Sequence, residues 1–464
     1  AEVDVNYIFD MDMNDVESAT ILKDASATAL YGAKASSGVI VITTKPLAAG
    51  KLRVSYSGTL KGSFPDLRDY DLLNSKEKLQ YEQAAGVYSS SGKAQWELDR
   101  QYNERYQRAI SGVETDWMSK GVRNAFVHNH NINIYGGDEY IRYSLGVRYG
   151  NEQGVMKESK RDRYSLSFKL SYNKGEAVFF QNTTTITSVN RVESPYGKFS
   201  EYVSLNPYDR AYNLDGTLNN NLSFGAKNPL YEASLGSFNK GEEFYIQDIF
   251  TAKFLLLPGL RTEASFSITK HKNDSEEFIS PNSKKYDGKP VSERGSMKIE
   301  NKKSMIYEGK LLFTYNKMLF DRLLLNATFG GNIQSSDATS NNFTGIGILS
   351  DKLDYVSFAT RYENSAPGGS TALSRNIGSF ITANIIYSDR YFFDFSYRYE
   401  GSSQFGKDKR FAPFWSTGIG WNIHKERFFK ANSTDILKLR ASVGYIGKAN
   451  FDPSQALTTY QYHP

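Results

Sequence analysis

Cysteine is absent from the 464 residues, which excludes disulfides, thiolate metal sites and a cysteine nucleophile. Proline is sparse, and the lack of any run of 18 apolar residues excludes a transmembrane helix. The mean hydropathy of -0.52 still permits a membrane, because a barrel strand exposes only every second residue to lipid. The net charge of +5 is small and scattered, so we expect no nucleic-acid partner.

What the chain has in abundance is Tyr (32), Phe (29) and Gly (37), a composition that favours strands and tight turns. Apolar and polar residues alternate from 141 to 150, and the same period returns at 164–172, 391–399 and 437–445. Aromatic residues also lie near several of the predicted strand ends, where they would occupy membrane interfaces. Alternation alone does not distinguish a membrane barrel from a soluble β-sandwich.

The connections between these segments favour the barrel. Turn signals at 136–138, 173–175, 258–259, 316–317 and 388–389 alternate with long segments at 191–240, 271–300 and 336–371. Short turns on one rim and long loops on the other are typical of outer-membrane barrels. We therefore predict an all-β membrane protein, an antiparallel transmembrane β-barrel of which about thirteen strands lie between Leu52 and Tyr445, with the rest of the wall outside this chain.

The amino-terminal segment has a different pattern, a strand, a short Ala-rich helix and a β-branched strand between residues 15 and 45. Gly32 and Gly38 do not form a phosphate-binding loop, because their spacing is wrong and Val39 stands where that loop needs a lysine. The start of the chain, Ala1 to Asp4, lacks the basic and apolar character of a secretory signal. We expect the numbering to begin inside a longer protein.

The stretch from Glu17 to Lys45 resembles, at nearly every position, the plug end of the SusC/RagA family of TonB-linked outer-membrane proteins. It departs mildly from the family pattern at residues 33–36, and a weaker likeness continues along the chain, for example at Asn206-Pro207-Tyr208 and Asn228-Pro229. The residues that carry the plug motif are Lys23, Asp24, Ala25, Ser26, Tyr31, Gly32 and Gly38.

The resemblance implies that residues 1–48 are the C-terminal part of an α/β plug domain and residues 49–464 the N-terminal part of the barrel. It further implies active import of an oligosaccharide or peptide across the bacterial outer membrane. The implied partners are a SusD-like surface lipoprotein, TonB with its inner-membrane energy proteins, and outer-membrane lipid, with no cofactor. We expect the TonB box, which would contact TonB, to lie outside this chain.

One long loop combines aromatic rings with hydrogen-bonding groups in the manner of a sugar site. The hypothesis is that some of its residues contact ligand, and the alternative is that they fold the loop or meet the lipoprotein. The candidate substrate-binding residues are Tyr196, Asn206, Tyr208, Asp209, Arg210, Tyr212 and Asn228.

Catalysis has little support in the sequence. His128 and His130 share a predicted strand face, but no third ligand is visible, so we predict no metal site. No nucleophile with a partner base is apparent, and we predict no catalytic residues and no enzyme. Two competing classes stay open: a passive porin or adhesin barrel, which would lack a plug, and a soluble β-rich glycan-binding domain.

Overall fold

One large antiparallel sheet dominates the computed structural model, which describes residues 16–22, 39–89, 92–404, 410–429 and 435–445. Within these ranges, thirteen strands follow one another in chain order, and each pairs with its neighbour as in an up-and-down meander. They are β3 (Gly50–Ser63), β4 (Ala125–Gly137), β5 (Ile141–Gln153), β6 (Lys160–Lys174), β7 (Val178–Val192), β8 (Phe238–Leu257), β9 (Leu260–Ile279), β10 (Ser296–Leu319), β11 (Leu323–Ile346), β13 (Gly368–Tyr387), β14 (Tyr391–Ser402), β15 (Phe411–Asn422) and β16 (Lys438–Tyr445). A short strand, β12 (Arg361–Tyr362), pairs with the end of β11. The predicted fold class and strand number are confirmed.

A separate two-stranded sheet is formed by β1 (Val16–Leu22) and β2 (Val39–Thr44). These are the two strands predicted at the ends of the plug-like segment. The residues between them, including all seven motif residues from Lys23 to Gly38, lie outside the described residues. The division into domains 1–48 and 49–464 therefore stays a prediction.

Five helices occur in the described connections, three between β3 and β4 and two between β7 and β8. They are α1 (Ser75–Ala84), α2 (Gln95–Ile110), α3 (Trp117–Gly121), α4 (Phe199–Val203) and α5 (Pro229–Ser234). Asn74 caps α1 in a capping box with Glu77, and Asn228 caps α5 directly before Pro229. No helix in these ranges has both the length and the apolar character needed to cross a membrane.

The two rims of the sheet differ, as the sequence predicts. On the turn rim, the connections at 138–140, 175–177, 258–259, 320–322 and 388–390 are tight. On the loop rim, residues 64–124, 193–237, 280–295 and 347–367 form long connections. Among the connections that are described throughout, 154–159 departs from the pattern, because it is short although it lies on the loop rim.

The bounds predicted for one turn and two loops were wrong. The turn expected at 316–317 lies at Phe320 and Asp321, both with left-handed backbone (φ 53° and 55°), because β10 continues to Leu319. Parts of the loops predicted at 271–300 and 336–371 are ordered ends of β9, β10, β11 and β13. These strand ends are mostly polar, with only scattered apolar residues such as Phe278 and Met297, so they lack the apolar alternation from which strands were predicted.

The burial pattern of the sheet is inverted relative to a soluble protein. On β14 the aromatic residues of one face, from Tyr391 to Tyr399, are exposed by 36–46%, whereas Ser396, Arg398 and Glu400 on the other face are exposed by 3–7%. Phe168, on β6, is likewise exposed on the apolar face. We call the apolar face outward and the polar face inward. This arrangement confirms that the apolar face of the strands points away from the protein, as lipid contact requires.

Aromatic rings form rows on the outward face. Near the turn rim, Tyr387, Tyr391 and Trp421 stack with ring centroids 6.4 and 6.5 Å apart. The Glu426 carboxylate accepts hydrogen bonds there from Tyr391 Oη (2.7 Å) and Trp421 Nε1 (3.1 Å). Polar ring edges held in this way are typical of the aromatic belts at membrane interfaces.

Candidate functional site

Two of the long connections, residues 64–124 and 193–237, pack against each other at the loop rim, and we call them together the loop layer. One shared core contains Trp117 from the first connection and Tyr202 and Leu230 from the second. A second core joins Leu79 to Tyr208. The loop layer is thus a folded unit with an apolar interior, not a set of independent loops.

A buried polar network fastens the two connections to each other. Tyr208 Oη donates a hydrogen bond to the Glu82 carboxylate at 2.9 Å, and Tyr88 Oη donates to the same carboxylate at 2.6 Å. Arg105 Nη1 donates to Tyr88 Oη at 2.8 Å. Burial raises the pKa of Tyr88 to about 12 and raises that of Tyr208 as well. Both phenols are therefore neutral donors at physiological pH.

Asp209, next along the chain, is fully buried and accepts three hydrogen bonds. The donors are Arg108 Nη1 (2.9 Å), the Ser223 backbone N–H (3.0 Å) and Ser223 Oγ (2.8 Å). Burial raises the pKa of Asp209 in spite of these donors and the positive charge of Arg108. The adjacent turn contains Phe224, which has a left-handed backbone conformation (φ 59°). The centroid of its ring lies 3.9 Å from the Arg105 guanidinium carbon.

Asn206 and Asn228 also serve the packing of the loop layer. Asn228 Nδ2 donates to the carbonyls of Ala211 (2.9 Å) and Asn219 (2.8 Å), while its Oδ1 accepts from the Leu230 N–H (3.0 Å). The Asn206 carbonyl accepts the indole N–H of Trp117 at 2.9 Å.

Four of the seven candidate substrate-binding residues are thus at most 7% exposed: Asn206, Tyr208, Asp209 and Asn228. Their geometry favours the alternative that these residues fold the loop. The remaining three are more accessible. Tyr212 is 49% exposed, whereas Tyr196 and Arg210 are half-buried. The Lys157 ammonium lies 5.7 Å from the Tyr196 ring centroid. A ligand role for all seven residues stays a prediction.

The inward face of the wall contains polar residues that the sequence analysis did not single out. Arg398 Nε donates to the Glu400 carboxylate at 2.9 Å, and its Nη2 donates to Asn332 Oδ1, two strands away, at 2.8 Å. Gly378 makes room for this guanidinium, since a Cβ there would lie 2.7 Å from Nη2. The signal available in the sequence was the Arg-x-Glu pair opposite the aromatic face of β14.

Further polar pairs continue along the same inward face. Asn384 Nδ2 donates to Asp394 Oδ1 at 2.6 Å, and Gln247 Nε2 donates to Thr269 Oγ1 at 3.0 Å. Buried charged and amide groups of this kind are satisfied by one another and hold a fixed pattern of donors and acceptors. The inward face can therefore form hydrogen bonds to a polar solute.

Two histidines on β4 are near enough to each other to be considered as metal ligands. His128 and His130 share the outward face, as predicted, with ring centroids 5.4 Å apart. His130 Nδ1 is 2.7 Å from Tyr56 Oη. Over the described ranges, no group of three histidine, aspartate or glutamate residues is placed to hold a metal ion.

The chain is similar in sequence to TonB-dependent receptors. No family model matches the sequence. TonB-dependent receptor SusC of Bacteroides thetaiotaomicron is 26% identical over 468 residues, covering 94% of this chain and 43% of the receptor. TonB-dependent receptor P3 of Formosa agariphila is also 26% identical, covering 96% of this chain and 43% of that protein. The chain therefore spans less than half the length of these relatives.

Solved structures agree on the fold. The RagAB peptide importer in its open-open state superposes with a TM-score of 0.81 at 21% identity, covering 100% of this chain and 54% of the importer chain. Its closed-closed state gives a TM-score of 0.78, with 97% and 53% covered. The fold is that of an outer-membrane transporter barrel. The chain is similar over most of its length to TonB-dependent receptors of the SusC type, and it is an outer-membrane protein. The predicted resemblance and the predicted location are confirmed.

Proposed function

We propose that the chain forms part of a TonB-dependent importer that carries a large polar nutrient, an oligosaccharide or a peptide, across the outer membrane. The observation that supports this most directly is the inverted wall, with exposed aromatic residues outward and a hydrogen-bonding surface that includes Arg398 and Glu400 inward. A wide channel with a polar lining suits a hydrated solute. SusC and the RagAB peptide importer are the relatives that suggest active import.

In this proposal the loop layer is the outer surface of the importer. A SusD-like lipoprotein covers the loop layer, and TonB, energised by inner-membrane proteins, acts on the plug to which residues 1–48 contribute. The accessible groups of Tyr196, Arg210 and Tyr212 contact the ligand from the loop layer. The buried residues Tyr208 and Asp209 position them by holding the two connections together.

The test is uptake by cells that carry the intact protein as their only importer of this type. Labelled oligosaccharide and peptide pools are supplied to cells with and without functional TonB. We expect uptake of one pool, and we expect it to require TonB. The double variant R210A/Y212A should lower that uptake by about tenfold, as loss of two hydrogen-bonded or stacked ligand contacts predicts. Leu214→Ala, at a site 90% exposed in the same loop, is the matched control.

Uptake that persists without TonB would overturn the proposal in favour of a passive porin. A large, permanently open conductance of the purified protein in planar bilayers would support the same conclusion. Extraction of the protein from cells without detergent would instead favour a soluble glycan-binding domain. If R210A/Y212A imports as well as the L214A control, these two side chains do not contact the ligand, whichever transport mechanism holds.

A further inference from the structure

The outward face of β9 and β10 changes from mostly apolar residues to lysines towards the loop rim. The row of paired residues Phe168, Thr184, Asp248 and Ile268 crosses four strands, so Ile268 lies on the same outward face as Phe168. Below Ile268 on β9, towards the turn rim, the outward positions are Phe266, Ala264, Thr262 and Leu260. The next two outward positions above it are Lys270 and Lys272.

Strand β10 shows the same change at the same level. Its outward positions run from Tyr315 through Leu311 and Tyr307 to Met305, and the next one is Lys303. Tyr315 and Met305 are ten residues apart, which at about 3.3 Å per residue and a tilt near 40° corresponds to about 25 Å, the height of the apolar band of an outer-membrane barrel. The three lysines therefore begin where the band ends, on the side of the long loops.

The three lysines occupy neighbouring positions in the sheet. Lys303 is paired directly with Lys272, and Lys270 is paired with Met305. Like charges directly opposite each other destabilise a strand pair unless an anion neutralises them. In the described part of the chain, only Lys272 of the three has an ion pair, with Asp274 on its own strand, and that carboxylate also accepts a hydrogen bond from Asn301. Over the described ranges, neither Lys270 nor Lys303 forms an ion pair, although Asp274 is near enough to attract Lys303.

Two other carboxylates lie near the three lysines without forming ion pairs with them. Glu242, on β8, is paired with Asp274 one step further from the membrane, and Asp337, on β11, is exposed opposite Met305. Neither forms an ion pair with the lysines. The immediate cross-strand neighbours on β8 are Phe244, opposite Lys272, and Ile246, opposite Lys270. A positive cluster with apolar side chains on its membrane side matches an anionic headgroup attached to acyl chains.

We propose that Lys270, Lys272 and Lys303 bind a phosphate group of an anionic lipid in the outer leaflet. The lipid phosphate lies among the three ammonium groups, and its acyl chains extend along Phe244, Ile246 and Met305. Lysines are attracted to an anionic membrane surface, and a phosphate accepts several hydrogen bonds from ammonium donors at once. This site faces away from the inward surface and does not depend on the import proposal.

The experiment measures lipid binding to the intact protein in detergent by native mass spectrometry. The probes are lipid A, dephosphorylated lipid A and inorganic phosphate. The variant K270Q/K272Q/K303Q is compared with the wild type and with K93Q/K289Q/K352Q, which removes the same charge from exposed loop positions. We expect the first variant to bind lipid A about tenfold or more weakly, consistent with the loss of three such contacts. The loop control should bind as the wild type does, and dephosphorylated lipid A should bind all three proteins equally weakly.

Three results would overturn the proposal. Lipid A that binds equally well to K270Q/K272Q/K303Q and to the wild type would place the lipid elsewhere. An equal loss in both triple variants would mean that net charge alone attracts the lipid. If inorganic phosphate displaces lipid A at comparable concentration, the cluster is a site for free phosphate and not for a lipid. A melting temperature within a few degrees of the wild type verifies that each variant is folded.

Discussion

The wall and the loop layer use the same residue types in opposite ways. Tyr208 in the loop layer is fully buried, whereas Tyr399 in the wall is 45% exposed. Trp117 packs at the centre of a core, whereas Trp415 lies on the outward face with 39% of its surface exposed. In both regions the aromatic side chains are removed from water. In the loop layer they pack against protein, and in the wall they contact lipid.

Polar groups follow the same division. In the loop layer, Glu82, Arg105 and Tyr208 are surrounded by the two connections that they join. In the wall, Arg398 and Glu400 lie along a single strand and face inward. The loop layer should therefore respond to pH and core substitutions as a soluble domain does, whereas the wall should respond to changes in what faces lipid.

The largest difference between the two regions is expected in alkali. Burial raises the pKa of Tyr88 to about 12 and raises the pKa values of Tyr202 and Tyr208. A phenol with a raised folded-state pKa contributes its full stability below its ordinary value near 10, and loses that stability as the pH rises through the folded value. For Tyr88 alone this amounts to about 2 kcal/mol by pH 12. The loop layer should open while the wall keeps its strands.

Limited proteolysis of the intact protein in detergent, from pH 8 to pH 12, measures this opening. Cleavage within residues 64–124 and 193–237 should rise above pH 10, while the strand signal in circular dichroism stays constant. Cleavage next to Tyr140 and Tyr391, which lie at the turn rim outside the loop layer, serves as the internal reference. Cleavage that stays constant up to pH 12, or a simultaneous loss of strand signal, would mean that the two regions do not differ in this way.

The second largest effect is expected from Trp117→Ala. The indole is 3% exposed and bonded to the Asn206 carbonyl, so its removal should cost the loop layer about 3–5 kcal/mol. Trp96→Ala, at a position 69% exposed on α2, should change stability by about 0.5 kcal/mol or less. Amide hydrogen exchange compares the two variants. Equal protection of the loop layer in both would contradict the core assigned to Trp117.

Sequence reasoning succeeded where lipid imposes a simple pattern. The apolar alternation at 164–172 and 391–399 arises because one face of each strand meets lipid, and both segments are strands with that face outward. The same reasoning failed at strand segments that do not contact lipid. The ends of β10 and β11 near the loop rim are mostly polar and lack a regular apolar alternation, so the strands were predicted to end too early.

The candidate site was harder to predict for a related reason. A loop rich in Tyr, Asn and Asp has the composition of a sugar site, but the same groups are the ones that satisfy a buried loop. Tyr208 bonds to Glu82, which is 126 positions earlier in the chain, and no local pattern indicates such a partner. The capping box of Asn74 and Glu77 was a readable signal for α1 that the sequence analysis did not use.

The smallest effect is expected from a charge placed on the outward face of the wall. Ile377 is an outward residue of β13, paired with Ile333 on β11 and Gly401 on β14, in the row of Gly309, near the midpoint between Met305 and Tyr315. Arginine at that position should lower the free energy of unfolding by about 2–4 kcal/mol, because its charge meets lipid near the middle of the membrane. Leu373→Arg changes an outward residue of the same strand at the edge of the band, in the row of Met305, where the cost should be about 0–1 kcal/mol.

Urea unfolding of both variants in lipid vesicles, followed by tryptophan fluorescence and by the shift in gel mobility on heating, measures the difference between them. The depth of the substituted residue is the only variable that the two changes do not share, since each replaces an exposed apolar side chain with arginine. A larger loss for Leu373→Arg than for Ile377→Arg would place the apolar band nearer the loop rim. The lysines at 270, 272 and 303 would then lie inside lipid, where charged side chains are costly.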